Sequence, residues 1–376
     1  MTSKSHLFEF HEAHGKLTEF SGFEMPLWYT SIVDEHMAVR NSAGLFDVSH
    51  MGRVSISGQG ATEFLRRLLP TNCARFGDGR AFYTVMCNEK GGIIDDVIVN
   101  KISTSKYIVV VNAGNRSKDI GWIKGHSNVF DVKIDDLSNE TALVAFQGPL
   151  AIRILQNLSD MSISDLKRFS FIECRVDGER CLVSRTGYTG EDGVEITIFD
   201  APLDNPERAL KIWNALLELG KNLGVLPCGL GSRDTLRLEA GMCLYGQDID
   251  ETVTPVEASL DSIIELDERE FIGRSPIERQ VRNGATKRRV AFSMLNQGIP
   301  RHGFDISFSG KKVGNVTSGT FSPLIKIGIG MGYVPTPLSS HGQHLAISIR
   351  ETEKDSQVVR VPFYDTNMYG YKRKTA

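Results

Sequence analysis

Two adjacent carboxylates, Asp95 and Asp96, lie inside an apolar stretch, "GGIIDDVIVN", that is typical of a buried β-strand. A carboxylate in apolar surroundings is costly unless it is paired, hydrogen-bonded or protonated. Because side chains alternate along a strand, Asp95 and Asp96 are expected on opposite faces. A regular strand therefore brings only one of them into a given pocket, and that residue is a candidate for chemistry.

A third acid, Glu195, follows the glycine-rich stretch "TGYTGEDGVEI". This stretch is not a phosphate loop, because no Lys follows its glycines and its acids would repel a phosphate. A hairpin turn is the simpler interpretation, with Gly190 and Gly193 supplying positive φ. Glu195 then enters an apolar strand. An ionised carboxylate only accepts hydrogen bonds, so it suits a ligand that presents two adjacent N–H donors.

Other reactive side chains give weaker signals. Asp47 and His50 in "LFDVSHMG" could form an acid–base pair, but they lie three residues apart around a probable strand and need not meet, which favours structural roles over a catalytic triad. The histidines show no metal-binding spacing, so no metal site is expected. The six cysteines are scattered without a C-x-x-C pair. Reduced, buried thiols in a cytoplasmic compartment are therefore expected.

The composition is that of an ordinary globular protein. The 376 residues are enough for two or three domains, and 41% of them are hydrophobic. A net charge of -3 gives no reason to expect nucleic acid or an anionic membrane as the main partner. The sequence lacks a signal-peptide pattern and any run of roughly 20 apolar residues that would cross a membrane.

The elements that must position these residues are mixed strands and helices. Ser31 is predicted to cap a helix that runs to Asn41. "AFYTVMCNEKGGIIDDVIVN" predicts a hairpin that turns between Asn88 and Gly92 and is followed by the strand "KYIVVV". "ERALKIWNALLELG" has helical spacing of apolar residues. The short helix "GSRDTLRLEAG" places Arg233 and Arg237 four residues apart on one face.

The residue pattern changes after about residue 275, where a basic segment is followed by short strand-like stretches with glycine turns. This pattern predicts an α+β region over 1–280, with antiparallel pairing, and an all-β module over 281–376. The basic run Lys287, Arg288 and Arg289 is either a docking patch for a partner or a solvated face.

Nine motifs occur in one order along almost the whole chain, from about Phe20 to Phe363. They are "FSGFEMPLWY", "LFDVSHMG", "GGIIDDVIV", "VVNAGN", "FQGP", "TGYTGEDGVE", "RDTLRLEAGMCLYGQDIDE", "TPVEASL" and "VTSG…MGYV". Together they closely resemble the T-protein family of the glycine cleavage system, the tetrahydrofolate-dependent aminomethyltransferases. Each motif alone is weak, but nine in register are highly specific.

The resemblance implies a fold and a reaction. The family fold is a three-domain cloverleaf around a central folate cavity, with two interleaved N-terminal α+β domains, divided here near 50 and 140, and a C-terminal β-barrel. The implied reaction moves a one-carbon unit from an aminomethyl group on the lipoyl arm of the H-protein to tetrahydrofolate and releases ammonia. Neither a metal nor a covalent nucleophile is implied.

The resemblance also implies the site residues. Asp96 matches the catalytic acid near the reacting nitrogens of folate, which leaves Asp95 a structural role. Glu195 matches the acid that holds the pterin, and Arg233 matches a folate-contacting Arg. The other matches to cavity positions are Tyr83, Asn112, Met51 and Tyr188. The family's C-terminal aromatic falls in "PFYDTNMYG", at Met368 or Tyr369.

Two alternatives stay open at this point. Another folate-dependent enzyme of the same superfamily, such as a demethylase of a small sulfonium or methylated amine, would keep the folate pocket. The agreement at "GMCLYGQDIDE" and "TPVEASL" favours the T-protein over it. A non-catalytic folate-binding protein would carry a Lys-Gly-Cys-Tyr signature, whereas this chain has "AGMCLYGQ".

Overall fold

Three open sheets, a closed barrel and eight α-helices make up the chain in the computed structural model, which describes residues 2–350 and 352–373. The first elements are β1 (Ser3–Lys4), α1 (Phe8–His14), β2 (Lys16–Phe20), β3 (Phe23–Trp28), α2 (Ile32–Asn41), β4 (Gly44–Asp47) and β5 (Gly52–Ser57). They are followed by α3 (Ala61–Leu68), β6 (Arg80–Cys87), β7 (Ile93–Ser103), β8 (Lys106–Val111), α4 (Arg116–Gly125), β9 (Lys133–Asp136) and β10 (Ala142–Gln147).

The second half continues the mixture and then becomes mainly β. Its mixed part comprises α5 (Ala151–Leu155), β11 (Phe171–Val176), β12 (Glu179–Ser184), β13 (Gly193–Ile198), α6 (Glu207–Gly220), β14 (Leu226–Pro227), α7 (Leu230–Glu239) and α8 (Arg274–Asn283). The last strands are β15 (Lys287–Met294), β16 (Asp305–Phe308), β17 (Lys311–Phe321), β18 (Gly328–Pro335), β19 (His344–Ile349) and β20 (Thr352–Val359).

The two large N-terminal sheets are interleaved along the chain. One sheet has the order β11-β12-β13-β10-β4-β14, and the other has the order β6-β7-β8-β5-β9. The chain leaves the first sheet after β4, builds the whole of the second sheet, and returns at β10. All the pairings are antiparallel except β4 with β14 and, in the small sheet β1-β3-β2, β1 with β3.

The last six strands form a closed barrel in the order β15-β18-β17-β16-β19-β20, and β20 pairs with β15 to complete it. Its interior is filled by apolar side chains, including Phe292, Ile306 and Ile347, which are fully buried. The expected α+β class with antiparallel sheets and a C-terminal β-barrel is therefore confirmed. No α-helix within 2–350 and 352–373 is long and apolar enough to span a membrane.

Two local predictions are confirmed, and the second of them places the site residues Tyr83 and Asp96. The Oγ of Ser31 accepts a hydrogen bond from the N–H of Asp34 and so caps α2. The β6–β7 hairpin turns where expected, because Asn88 Oδ1 accepts the N–H groups of Lys90 and Gly92. Gly91 has a φ of 84° in this turn, a conformation that glycine adopts without steric cost.

Candidate active site

A cavity of about 380 Å³ lies where the two interleaved sheets meet α7 and the first strand of the barrel. Its wall contains side chains from β6, β7, β13, α7 and β15 and from the connecting loops at 112–115, 186–188 and 241–245. Ligand pockets of this size are typical of small-molecule sites, and they are commonly found between domains.

Seven of the eight side chains that the family resemblance assigned to the site line this cavity. They are Asp96, Glu195, Arg233, Tyr83, Asn112, Met51 and Tyr188. Tyr369 is not among the lining residues. The carbonyl of Asp365 accepts the N–H groups of both Met368 and Tyr369, so the backbone turns back at this point. The Met368 side chain is consequently 62% exposed, and Tyr369 lies beside the guanidinium of Arg373.

Asp96 is held by two donors, one on β6 and one just after the end of β8. The hydroxyl of Tyr83 donates to Asp96 Oδ2 at 3.1 Å, and the side-chain nitrogen of Asn112 donates to Asp96 Oδ1 at 2.8 Å. Burial, followed by the negative charge of Asp95, raises the pKa of Asp96 to about 7. Burial and the charge of Asp96 raise the pKa of Tyr83 well above its ordinary value, so its phenol stays a donor.

Asp95 is fully buried and has three donors of its own. The backbone N–H of Asn112 bonds its Oδ2 at 2.8 Å, while the side-chain nitrogens of Asn112 and Asn115 bond its Oδ1 at 2.9 and 2.6 Å. Strand alternation predicted that the two acids face apart, and of the two only Asp96 lines the cavity. They are nevertheless linked, because the side-chain nitrogen of Asn112 bonds both carboxylates.

Glu195 and Arg233 present opposite charges to the same cavity. On β13, Glu195 Oε2 accepts the hydroxyl of Thr186 at 2.5 Å. On α7, the Arg233 guanidinium lies 4.6 Å from the centre of the Tyr188 ring. Within the described chain the Arg233 guanidinium contacts Met51 Sδ at 4.0 Å but forms no ion pair with a carboxylate, and burial lowers its pKa. The guanidinium therefore remains available to an anionic group of a ligand.

Arg237, one turn further along α7, serves another purpose. Its guanidinium bonds Asp248 at 2.7 Å and Ser318 of the barrel at 2.8 Å, and its side chain is 1% exposed. The shared helix face that the sequence indicates for Arg233 and Arg237 therefore does not mean a shared partner. Arg233 contributes to the cavity, whereas Arg237 joins the N-terminal region to the barrel.

Asp47 and His50, the possible acid–base pair, have different partners in the structure. Asp47 Oδ2 bonds His11 Nε2 at 2.8 Å, and within the described residues it shares no hydrogen bond with His50. His50 lines the cavity and packs edge-on against the Phe20 ring. Burial lowers the pKa of His50 to about 4, so its imidazole is neutral near pH 7.

Sequence reasoning missed the two arginines Arg168 and Arg289, which also line the cavity. Arg168 stands in no motif, and its guanidinium stacks 3.4 Å from the centre of the Tyr371 ring. Arg289 was assigned to a docking patch or solvated face, but its Nε donates to the carbonyl of Ala258 at 2.9 Å. The alternation of β15 could have separated Arg289 from Arg288, which instead pairs with Asp261.

Comparisons with known proteins extend over both halves of the chain. The sequence model of the GCVT N-terminal domain matches residues 7–268, and that of the Glycine cleavage T-protein C-terminal barrel domain matches residues 287–365. The aminomethyltransferase of Halothermothrix orenii is 44% identical over 361 residues, covering 96% of this chain and 99% of that protein. The aminomethyltransferase of Bacillus subtilis is 42% identical over 367 residues, covering 97% and 99%.

The fold has a similarly extensive match among solved structures. The crystal structure of glycine cleavage system aminomethyltransferase T from Bartonella henselae superposes with a TM-score of 0.90 at 31% identity. The superposition covers 99% of this chain and 100% of that chain. Sequence and fold thus agree over nearly the full length.

Proposed function

Because the chain belongs to the glycine cleavage T-protein family of aminomethyltransferases, we propose that its cavity binds tetrahydrofolate and that its protein partner is the lipoyl-bearing H-protein. The chain is an enzyme, and its class of reaction is aminomethyl transfer. One observation carries the proposal: Asp96, Glu195 and Arg233 line a single cavity. Its size suits a small-molecule substrate.

The charges in the cavity support a tetrahydrofolate site. The pterin ring offers an amino group and a ring N–H side by side, and the Glu195 carboxylate can accept both. The glutamyl tail offers carboxylates, and the fork of the Arg233 guanidinium suits such groups. Tyr188, which lies against Arg233, adds an aromatic face to this part of the wall.

Asp96 is the residue we assign to the transfer step. When the lipoyl sulfur leaves the aminomethyl group, a cationic iminium remains, and the folate nitrogen that attacks it must lose a proton. A carboxylate fixed at two points can stabilise that cation and accept the proton. A pKa of about 7 suits this role, since a base works best when its pKa lies near the operating pH.

The surface where the H-protein would dock is narrower than the basic run suggested. Arg289 belongs to the cavity wall, so Lys287 and Arg288 are the members left to meet a partner. Charges at the rim of an interface act mainly on association rate and salt dependence. Reversing both charges should raise the Michaelis constant for H-protein at low salt. An unaltered constant there would assign these two residues to a solvated boundary.

The decisive experiment is ammonia release from aminomethylated H-protein, measured with and without tetrahydrofolate. We expect release to accelerate with tetrahydrofolate and to yield methylene-tetrahydrofolate in equal amount. A demethylase of the same superfamily would instead act on a free methylated amine or sulfonium and ignore the H-protein. A non-catalytic folate-binding protein would bind tetrahydrofolate but release no ammonia.

A reducing, cytoplasmic compartment fits the cysteines. All six are free and buried, and burial raises the pKa of the Cys243 thiol in the cavity wall to about 12. A thiol with so high a pKa is protonated and unreactive near pH 7. We therefore propose that catalysis involves no cysteine. Ammonia release by the native chain should therefore resist thiol-blocking reagents. The Cys243→Ser variant should release ammonia at a rate close to that of the native chain.

A further inference from the structure

Asp119, in the first turn of α4, has no hydrogen-bond donor directed at it. Its side chain is fully buried, and neither carboxyl oxygen accepts a hydrogen bond from any residue within 2–350 or 352–373. The adjacent Lys118 does not pair with it, because its ammonium bonds the carbonyl of Ile94, the hydroxyl of Tyr245 and Glu251. An ionised carboxylate left this way would lose its hydration without compensation. A protonated carboxyl group can instead donate a hydrogen bond to a neighbouring acceptor.

The group that can accept that proton is Asp95, which bonds Asn115 four residues before Asp119 and whose negative charge acts on the Asp119 carboxyl group. Asp95 already receives three N–H donors from Asn112 and Asn115, as described above. Those three donors suit a carboxylate, which only accepts hydrogen bonds. Burial and the negative charge of Asp95 in turn raise the pKa of Asp119 to about 10. Of this pair, Asp95 is thus the charged member and Asp119 the neutral one.

The pair acts on Asp96 through one side chain. Asn112 has both its backbone N–H and its side-chain nitrogen bonded to Asp95, and the same side-chain nitrogen bonds Asp96 Oδ1. Reversal of this amide would put its oxygen against both carboxylates. The orientation of Asn112, and hence one of the two donors that hold Asp96, therefore depends on the charge of Asp95.

We propose that Asp119 is a protonated positioning residue, which holds Asp95 as a fixed anion and thereby orients Asn112 and the catalytic Asp96. The positioning role rests on the proposed function of Asp96, whereas the protonation of Asp119 does not. The charged residues Glu195, Arg233 and Arg289 line the same cavity as Asp96. The titratable groups on which the charge of Asp96 also acts are Tyr83, Tyr188 and Cys243. All three are raised in pKa and neutral near pH 7, so Asp95 is the charge that acts on Asp96 most strongly.

The protonation can be tested without any activity measurement. An infrared difference spectrum between the native chain and Asp119→Asn at about pH 8.5 should contain the carbonyl stretch of a protonated carboxyl group. This pH lies between the pKa values of Asp96 and Asp119, so Asp96 does not contribute to the band. The absence of the band would overturn the proposal.

The positioning role is tested by kinetics on the complete enzyme with H-protein and tetrahydrofolate. Asp119→Leu keeps the branching and the number of side-chain heavy atoms but removes the donor. We expect kcat to fall about ten-fold with an unchanged KM for tetrahydrofolate, because only the barrier of the transfer step changes. Asp119→Asn restores a donor and should recover kcat to within about three-fold of the native value. Lys124→Leu, on the exposed face of the same helix, controls for the leucine.

The pH dependence of kcat distinguishes a neutral Asp119 from an ionised one. If Asp119 is neutral, Asp119→Asn keeps the acidic limb of kcat where it is in the native enzyme. Asp95→Asn, which removes the neighbouring charge, should move that limb to lower pH. A limb that moves to lower pH in Asp119→Asn would show that Asp119 is ionised and would refute the proposal. An unchanged kcat in a folded Asp119→Leu would refute the positioning role even if the infrared band is present.

Discussion

At the scale of single residues, the neighbours Asp95 and Asp96 have different tasks because of their hydrogen bonds. Asp95 accepts three N–H donors and lies in the protein interior, whereas Asp96 has two donors and one side open to the cavity. Their charges are nonetheless coupled, since Asp95 contributes to the raised pKa of Asp96. A buried anion can therefore tune a catalytic carboxylate without contact with the substrate.

Asp96→Asn keeps the shape of the side chain but removes its charge, and it should lower turnover at least ten-fold, equivalent to about 1.4 kcal/mol of barrier. The same variant tests a pH dependence of stability. The folded pKa of about 7 lies above the ordinary value of 3.8, so the folded state binds the extra proton between these values. The free energy of unfolding should thus fall as pH rises from about 4 to 7, and this decline should weaken in Asp96→Asn.

Denaturant titrations across this pH range check the stability effect, and the rate of methylene-tetrahydrofolate formation checks the catalytic one. Native turnover after correction for folded protein would remove Asp96 from the transfer step. A decline in stability of the same size in both proteins would assign the raised pKa to another group.

Glu195 should determine affinity rather than rate. In Glu195→Ala the pterin donors lose a charged acceptor, which typically costs about 1.5–3 kcal/mol and corresponds to a ten- to hundred-fold weaker dissociation constant. Calorimetric titration with tetrahydrofolate measures this change. Glu218→Ala, an exposed acid on α6, is the matched control and should titrate like the native protein. Equal constants for the two variants would place the pterin elsewhere.

At the scale of elements, α7 carries two arginines one turn apart with separate duties. Arg237→Ala leaves Asp248 buried and without its cation, and breaking a buried pair in this way typically costs about 3–5 kcal/mol. Arg233→Ala breaks no ion pair of the described chain and should leave the melting temperature nearly unchanged while weakening tetrahydrofolate binding. Melting curves and folate titrations of the two variants give the comparison. The reverse pattern would contradict the assignment of the two residues.

The elements also divide what sequence can predict from what it cannot. The capped helix α2 and the β6–β7 hairpin were predictable, because their signals lie within a few residues of each other. The membership of Arg168 and Arg289 in the cavity was not, because it depends on contacts between distant segments. Seven cavity residues were found through the family motifs. Residue patterns alone had proposed a chemical or ligand-binding role only for the acids on β7 and β13, and they had favoured a structural role for His50.

At the scale of the whole molecule, the barrel is joined to the N-terminal region through Asp248. Its carboxylate bonds Arg237 on α7 at 2.7 Å and the hydroxyls of Thr317 and Ser318 on β17 at 2.5 and 2.9 Å. It is 1% exposed, so these bonds are shielded from water. The two parts of the chain therefore share a buried polar network rather than a mere linker.

This network should make the native chain unfold in a single transition, with equal calorimetric and van't Hoff enthalpies. Asp248→Ala leaves the buried Arg237 with only the half-exposed Asp234 as an ionic partner, and it should both lower the melting temperature and separate the barrel transition from that of the N-terminal region. Differential scanning calorimetry resolves the two cases. One undivided transition in Asp248→Ala, at the native temperature, would mean that other contacts couple the two parts.

The interleaving of the sheets has a consequence for the nascent chain on the ribosome. Strands β5 to β9 find all of their partners within residues 52–136, so this inner sheet can close as soon as that stretch has emerged. Strand β4 is made earlier, yet its partners β10 and β14 begin only at Ala142 and Leu226. Strand β4 therefore stays unpaired until the ribosome has made β10 and β14. The inner sheet, which is inserted between β4 and β10, can fold before the outer sheet that contains these strands.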